Sequence, residues 1–271
     1  MVQCFDRRTG ELAGPSAKKN AYLIVEARKY RHDVHALWDL RLNKTYSPRT
    51  FGGYHRYCDT GMCETTGSLG LAAAGGKLVL SLLYSGELIV LDAETLEIEK
   101  RIPVPEPAGL HGVDANTVLA VSGKTVVRVD LPTGRITPVV TSGLSAPFGV
   151  TTDKNGAVYV SDWGDSFQVK RFRPDGRLAK SYGIPGGRPW IGPFTPEGMQ
   201  VPRGIAVTDD GRLWVAEDEF SPRRVSVWNV KTGKLVRDYI GPANYQGWGL
   251  VFDPQDPTRI LACGTEFKLD F

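Results

Sequence analysis

The chain has 271 residues, which is long enough for one large domain with a sizeable core, or for one domain with a small appendage. Charged residues make up 23% of the sequence and the net charge is only +3, which excludes a mainly disordered chain and gives no electrostatic sign of nucleic-acid binding. No apolar run reaches the ~18 residues that a membrane helix needs, and the first residues show no signal-peptide pattern.

Five segments of the chain repeat one pattern of strand, turn and strand. Each opens with a short apolar strand around a glycine, and the five glycines are Gly70, Gly112, Gly149, Gly204 and Gly249. A turn and a second apolar strand follow, and in most segments a third strand. The third strand ends in a hairpin turn that recurs as DLPTGR at 130–135 and NVKTGK at 229–234. Glycine in such a turn supplies the positive φ that a tight hairpin requires.

The spacing of the repeats predicts the fold. Short strands recurring with a period of about 40 residues are typical of propeller blades. No 3.6-residue apolar periodicity runs through the segments, which excludes a helical solenoid. We therefore predict an all-β protein, a β-propeller of about six blades with five clear repeats, and a helix content below about 10%.

Two stretches of the sequence carry a family resemblance. VPRGIAVTDDGRLWVAED (201–218) and APFGVTTDKNGAVYVSDWGDSFQVKRFRPDGRL (146–178) resemble the repeats of NHL-type β-propellers. The resemblance extends over residues 66–271, which we assign to the propeller domain. It implies the fold and leaves the function open, because similar propellers include lyases, lactonase-like hydrolases and pure binding platforms.

Residues 1–65 fit the repeats less well, and two interpretations compete. VQCFDRRTGEL (2–12) carries the hairpin motif of the blades, and 34–48 has a strand–turn–strand pattern, so these residues would supply a further blade and a closing strand. Residues 2–5 would then pair with 260–271, burying an open strand edge and bringing Cys4 near Cys263. Alternatively, residues 34–56 resemble the end of a small Ig-like β-sandwich of the FlgD type.

A candidate ligand site follows from the repeat alignment. In propellers the first strand of each blade lines the central channel, and the residue before the repeat glycine lies near one mouth of that channel. These residues are Leu69, His111, Phe148, Arg203 and Trp248. An arginine offers two parallel hydrogen bonds to a carboxylate or phosphate, so His111, Phe148, Arg203 and Trp248 are candidates for binding a small anionic or planar ligand. The alternative is that they simply fill the channel.

A second set of polar residues follows the second strands. Asp162 and Asp165 lie in SDWGD, and Glu217, Asp218 and Glu219 lie in AEDE. If Asp162 and Glu217 met, they could hold a divalent cation such as Ca²⁺, which prefers oxygen ligands. The alternative is turn chemistry, in which an acidic side chain after a strand accepts hydrogen bonds from the following bend.

The cysteines give no clear chemistry. His55, Cys58 and Cys63 place three soft ligands in one loop, but zinc sites use four ligands and the C-x2-C spacing is missing. A disulfide between Cys58 and Cys63 is an alternative if the protein is exported. The sequence leaves the cellular compartment open, and export to the periplasm as part of a longer precursor is one of the alternatives. No catalytic sequence motif surrounds any cysteine.

The sequence favours a binding or scaffold module that recognises a protein partner or a small ligand on its loop face, as a monomer or as part of a larger chain. Nucleic acid and a membrane span are not expected. The alternative is a lyase or lactonase-like hydrolase, with His111 as general base, Arg203 binding a carboxylate or oxyanion, and Asp162 or Glu217 as a metal ligand. Three or more polar side chains within about 4 Å of one void would favour the enzyme.

Overall fold

The protein is all-β, as predicted. The computed structural model describes residues 38–39, 44–45, 68–83, 85–95, 97–189, 194–217, 224–240, 250–253, 256, 258–262 and 265–268. All regular structure in these residues is β-strand, and none of them forms a helix that could cross a membrane.

Four antiparallel sheets of four strands and one sheet of three strands correspond to the five predicted repeats, here called blades 1 to 5. A two-stranded hairpin of β1 (Trp38–Asp39) and β2 (Lys44–Thr45) precedes them. Blade 1 comprises β3 (Ser68–Ala74), β4 (Lys77–Leu82), β5 (Glu87–Asp92) and β6 (Ile98–Pro103). Blade 2 comprises β7 (Pro107–Gly112), β8 (Thr117–Ser122), β9 (Thr125–Asp130) and β10 (Ile136–Val140).

The remaining blades follow the same order. Blade 3 comprises β11 (Pro147–Thr152), β12 (Val158–Asp162), β13 (Gln168–Phe172) and β14 (Leu178–Tyr182). Blade 4 comprises β15 (Pro202–Val207), β16 (Arg212–Glu217), β17 (Arg224–Asn229) and β18 (Leu235–Ile240). Blade 5 comprises β19 (Leu250–Phe252), β20 (Arg259–Ala262) and β21 (Thr265–Lys268).

In each of blades 1 to 4 the second and third strands are mostly buried and the fourth is mostly exposed or half-buried, because buried apolar residues are concentrated in the inner strands. All five residues of β12 are buried, whereas most residues of the fourth strands β6 and β10 are exposed or half-buried. Edge strands with charged residues are protected against pairing with other chains, and Lys100 and Arg101 supply such charges on β6.

The recurring hairpin turn is stabilised by the side chain that opens it. In blade 2 the Asp130 carboxylate accepts a hydrogen bond from the Thr133 backbone N–H at 2.9 Å. In blade 4 the Asn229 side-chain oxygen accepts one from Thr232 N–H at 2.8 Å. These Asx turns explain why the two hairpins carry the same sequence pattern.

The chain divides into two compact units, Met1–Ala108 with Asp114–Asn116, and Gly109–Val113 with Thr117–Phe271. Within the second unit, β11 contacts β15 and β15 contacts β19, so the first strands of consecutive blades lie side by side. Blades 3 and 4 share a core that includes Tyr159, Tyr182, Met199, Val215 and Trp228. This side-by-side packing of sheets is the arrangement that a propeller requires.

The first strands approach each other so closely that only glycine fits. A Cβ at Gly149 would lie 2.2 Å from the Arg203 carbonyl oxygen, and a Cβ at Gly109 would lie 2.2 Å from that of Phe148. Gly109 is therefore the repeat glycine of blade 2, and the sequence-based assignment of Gly112 was wrong. The prolines that begin β7, β11 and β15 give the same alignment.

Several sequence-based predictions lie outside the described residues. These are the pairing of 2–5 with 260–271, the proximity of Cys4 and Cys263, the Cys58–Cys63 disulfide and the zinc ligands around His55. The boundary at residue 65 stays a prediction, as does the identity of the N-terminal segment.

Candidate functional site

Phe148, Trp163 and Arg203 meet in one group, here called the aromatic–arginine cluster. The guanidinium carbon of Arg203 lies 4.4 Å from the centre of the Phe148 ring and 5.0 Å from the centre of the Trp163 ring. Both distances are within the range of cation–π interactions. Phe148 is buried, whereas Arg203 and Trp163 are half-buried, so the cluster lies at the boundary between the core and solvent.

Irregularities in the strand pairing orient Phe148 and Arg203. The register of β11 against β12 shifts between Pro147 and Val150, and that of β15 against β16 shifts between Pro202 and Ile205. A β-bulge re-aims the side chain that it carries, and bulges are frequent beside binding sites. A bulge at the same strand position thus places one member of the cluster on each of two neighbouring blades.

Ser161 links the two bulges. Its hydroxyl accepts a hydrogen bond from Gly149 N–H at 2.7 Å and donates one to the Arg203 carbonyl oxygen at 2.7 Å. The serine is fully buried, so both main-chain groups gain a partner without water. The backbone of Arg203 is therefore bonded to blade 3, while its side chain contacts the aromatic rings.

Asp162 is a buried carboxylate that binds the segment before β11. Its oxygens accept hydrogen bonds from the backbone N–H groups of Ser145 at 3.0 Å and Ala146 at 2.7 Å. The ammonium group of Lys170 donates to the same carboxylate at 2.6 Å and neutralises it. The Ala146 carbonyl oxygen in turn accepts from Trp163 N–H at 3.2 Å. Asp162 is therefore connected to both aromatic members of the cluster through the backbone.

Glu217 is bound in the corresponding way in blade 4. Its carboxylate accepts a hydrogen bond from Gln200 N–H at 2.8 Å, just before β15. Two buried guanidinium groups flank it, those of Arg188 and Arg224, and the second donates at 2.7 Å. Arg188 belongs to the long connection between β14 and β15, so this buried ion-pair network anchors that connection to blade 4.

The surroundings of Asp162 and Glu217 do not suit a divalent cation. Their oxygens already accept bonds from main-chain N–H groups, and Lys170, Arg188 and Arg224 place positive charge where the ion would lie. Among the described residues, no group of three or more His, Cys, Asp or Glu side chains could hold a metal ion. In the part of the chain that the structure describes, the backbone N–H groups that bind the two carboxylates come from the segments before β11 and β15, not from the bends that follow Asp162 and Glu217. Asp218 and Glu219 lie outside the described residues.

His111 does not join the aromatic–arginine cluster. With Gly109 as the repeat glycine, Ala108 takes the place in β7 that Phe148 and Arg203 take in β11 and β15, and His111 lies three residues further on. Its imidazole Nε2 lies 3.0 Å from the Thr152 hydroxyl, and Nδ1 lies 3.4 Å from the Thr151 hydroxyl. Burial holds the pKa of His111 below its usual value, so the ring is neutral at pH 7.

Trp163 is the member of the cluster that the repeat alignment missed. It comes directly after β12, so it is not next to a repeat glycine. Its position beside Asp162 at the end of a second strand was the available signal, because that strand end lies opposite the start of β11. Trp248, the fourth residue proposed for the channel mouth, lies outside the described residues.

No protein-family model matches the sequence, and no curated protein matches it. Solved structures with the same fold include hydrazine synthase of Kuenenia stuttgartiensis, with 16% identity and a TM-score of 0.52 over 73% of this chain and 55% of that chain. The nidogen/laminin complex gives 13% identity and a TM-score of 0.57 over 73% and 72%. Virginiamycin B lyase from Staphylococcus aureus gives 18% identity and a TM-score of 0.53 over 75% and 70%. Identities this low support the β-propeller fold and nothing beyond it.

Proposed function

We propose that this protein is an NHL-type propeller that acts as a binding module and recognises a small carboxylate at the aromatic–arginine cluster. The observation that carries the proposal is the contact of one half-buried guanidinium group with two aromatic rings from the neighbouring blade. A binding site of this kind combines an apolar wall with a single charged group that orients the ligand.

The chemistry of Arg203 favours an anion with a planar, apolar body. A guanidinium group stays charged at every physiological pH and can form two parallel hydrogen bonds to a carboxylate. Rings at 4.4 Å and 5.0 Å restrict its rotation, so less side-chain entropy is lost when an anion binds. An aromatic carboxylate could place its charge on Arg203 and its ring against Trp163.

The fold comparisons fit a binding module and a lyase equally, since nidogen in complex with laminin and virginiamycin B lyase are both among the similar structures. The placement of His111 favours the binding module. A general base and an anion clamp must reach one substrate. His111 lies three residues further along β7 than the equivalent of Arg203, a rise of about 10 Å, and β11 lies between β7 and β15. This placement argues against His111 and Arg203 acting together on a small molecule.

Binding of benzoate tests the proposal. We expect benzoate to perturb the amide NMR signals of Phe148, Trp163 and Arg203, and Arg203→Ala to weaken its affinity at least about tenfold, since a hydrogen bond to a charged group contributes about 1.5–3 kcal/mol. Arg177→Ala is the matched control, because that side chain is 81% exposed on a hairpin of blade 3. Equal benzoate affinity in the two variants, or perturbation confined to other residues, would refute the proposed site.

A further inference from the structure

We infer that Asp162 and Glu217 are positioning residues for the aromatic–arginine cluster, each holding the backbone segment from which one member of the cluster extends. This inference assigns a role to two buried carboxylates that are not members of the aromatic–arginine cluster. It rests on the proposed function for its biological meaning, but the geometry that it concerns can be measured without a ligand.

The two carboxylates occupy equivalent positions in neighbouring blades. Asp162 is the last residue of β12 and pairs with Pro147, the first residue of β11. Glu217 is the last residue of β16 and pairs with Pro202, the first residue of β15. The cluster residues Phe148 and Arg203 directly follow these prolines. Each carboxylate therefore lies across the strand pair from the start of the bulge that carries its cluster residue.

In blade 3 the carboxylate controls two members of the cluster. Asp162 binds the N–H groups of Ser145 and Ala146, which fixes the entry of the chain into β11 and hence the bulge at Phe148. The Ala146 carbonyl oxygen then binds Trp163 N–H, which follows Asp162 in the chain. Phe148 and Trp163 are thus oriented by one loop of hydrogen bonds that passes through the carboxylate.

In blade 4 the carboxylate holds a backbone conformation that the sequence does not favour. Glu217 binds Gln200 N–H, and the next residue, Val201, has a φ of 43°. A β-branched residue rarely adopts this left-handed conformation, so the surrounding contacts must impose it. Val201 leads directly into Pro202 and Arg203, so the conformation imposed by Glu217 and its neighbours sets the direction in which β15 begins.

Largely buried cations compensate the charge of the two buried carboxylates. Lys170, Arg188 and Arg224 are at most 14% exposed in their side chains and pair with Asp162 or Glu217. A buried carboxylate without such partners would be protonated or would draw in water. With these partners, the carboxylate oxygens accept hydrogen bonds from backbone N–H groups, which is what a positioning role requires.

The side-chain Nε–H signal of Arg203 in a proton–nitrogen NMR spectrum reports on the cluster directly. Because the guanidinium lies over the Phe148 and Trp163 rings, ring currents displace this signal from the value of an exposed arginine. We expect Asp162→Asn to move the signal back towards that value. Asp162→Glu keeps the charge and mimics the residue found in blade 4, so it should fold and give a smaller shift in the same direction.

Asp153→Asn is the matched control. The Asp153 carboxylate also accepts two backbone N–H bonds, from Asn155 and Ala157, and pairs with Arg171 in the same blade, but it lies in the β11–β12 hairpin at the other end of the strands. The Asp153→Asn variant should have a lower stability but an unchanged Arg203 Nε–H signal. If Asp162→Asn and Asp162→Glu leave the signal in place, or if Asp153→Asn moves it equally, the positioning role is wrong. If the shift occurs but benzoate does not bind the wild type, the positioning role stands and the proposed ligand does not.

Discussion

At the scale of single residues, Asp238 on β18 is a carboxylate in an unfavourable site. Its Oδ2 pairs with Arg224 at 3.5 Å, and its Oδ1 is buried with no hydrogen-bond partner among the described residues. Burial raises the pKa of Asp238, and the nearby Glu197 adds to this, while Arg224 and Arg188 oppose it. Since the folded pKa lies above the unfolded one, the ionised group lowers stability as pH rises through the folded pKa.

Asp238→Asn should therefore stabilise the protein at neutral pH. We expect the Tm difference between the variant and the wild type to be roughly 1–3 °C more positive at pH 7 than at pH 3. The effect is this small because a partly exposed group contributes less than the ~1.4 kcal/mol that corresponds to a full pKa unit. Thermal melts of both proteins at the two pH values check this. A relative Tm that is the same at both pH values, or that falls as pH rises, would show that the Arg224 contact outweighs the cost of burial.

At the scale of elements, two buried serines occupy the same position in different blades. Ser161 lies in β12 and bridges β11 and β15 through two hydrogen bonds of 2.7 Å. Ser81 lies in β4 opposite the repeat glycine Gly70, and its hydroxyl has no hydrogen-bond partner among the residues that the structure describes. The same side chain therefore bonds two neighbouring strands in blade 3 but has no such role in blade 1.

The two serines should respond oppositely to removal of the hydroxyl. Ser161→Ala leaves a buried N–H and a carbonyl oxygen unpaired and should lower the free energy of unfolding by about 1–3 kcal/mol. Ser81→Ala removes an unsatisfied polar atom and should be neutral or slightly stabilising. Urea denaturation of both variants measures the difference. If both variants lose the same free energy of unfolding, Ser81 is also hydrogen-bonded. If Ser161→Ala loses none, the hydrogen bonds of Ser161 do not stabilise the protein.

At the scale of the whole molecule, the sheet of blade 5 has three strands among the described residues, whereas blades 1 to 4 have four. The closed-ring interpretation of the sequence predicts that residues 2–5 pair with 260–271, because residues 2–12 carry the hairpin motif of the other blades. Such pairing would bury a strand edge of blade 5, and a closed ring stabilises all of its blades together.

Deleting residues 1–12 tests this prediction. If they close the ring, the Tm of the deletion variant should fall sharply, by an amount comparable with the loss of a whole strand pair. A variant in which residues 1–12 are replaced by a Gly/Ser sequence of equal length controls for chain length. An unchanged Tm in both variants would favour the separate N-terminal domain instead.

The strands and turns were predictable because they repeat, and the site was predictable only in part. The pattern of proline, glycine and apolar residues at the start of β11 and β15 identified Phe148 and Arg203. In blade 2, Gly109 and Gly112 both suited the pattern, and only the proline at position 107 distinguishes them, which is why His111 was misplaced. The partners of Asp162 and Glu217 could not be predicted, because Lys170, Arg188 and Arg224 come from other strands and from the β14–β15 connection.

The carbonyl oxygen of Arg203 has a consequence for dynamics. It packs against Gly149 and accepts the Ser161 bond, so the residue whose side chain faces the proposed ligand also forms part of the seam between blades 3 and 4. Restraining the guanidinium would also restrain this seam against local opening. Hydrogen exchange at the Gly149 amide should therefore slow when the site is occupied, although no ligand atom touches it. Ligand binding would therefore be detectable as reduced local opening at Gly149, on the strand next to the one that carries Arg203.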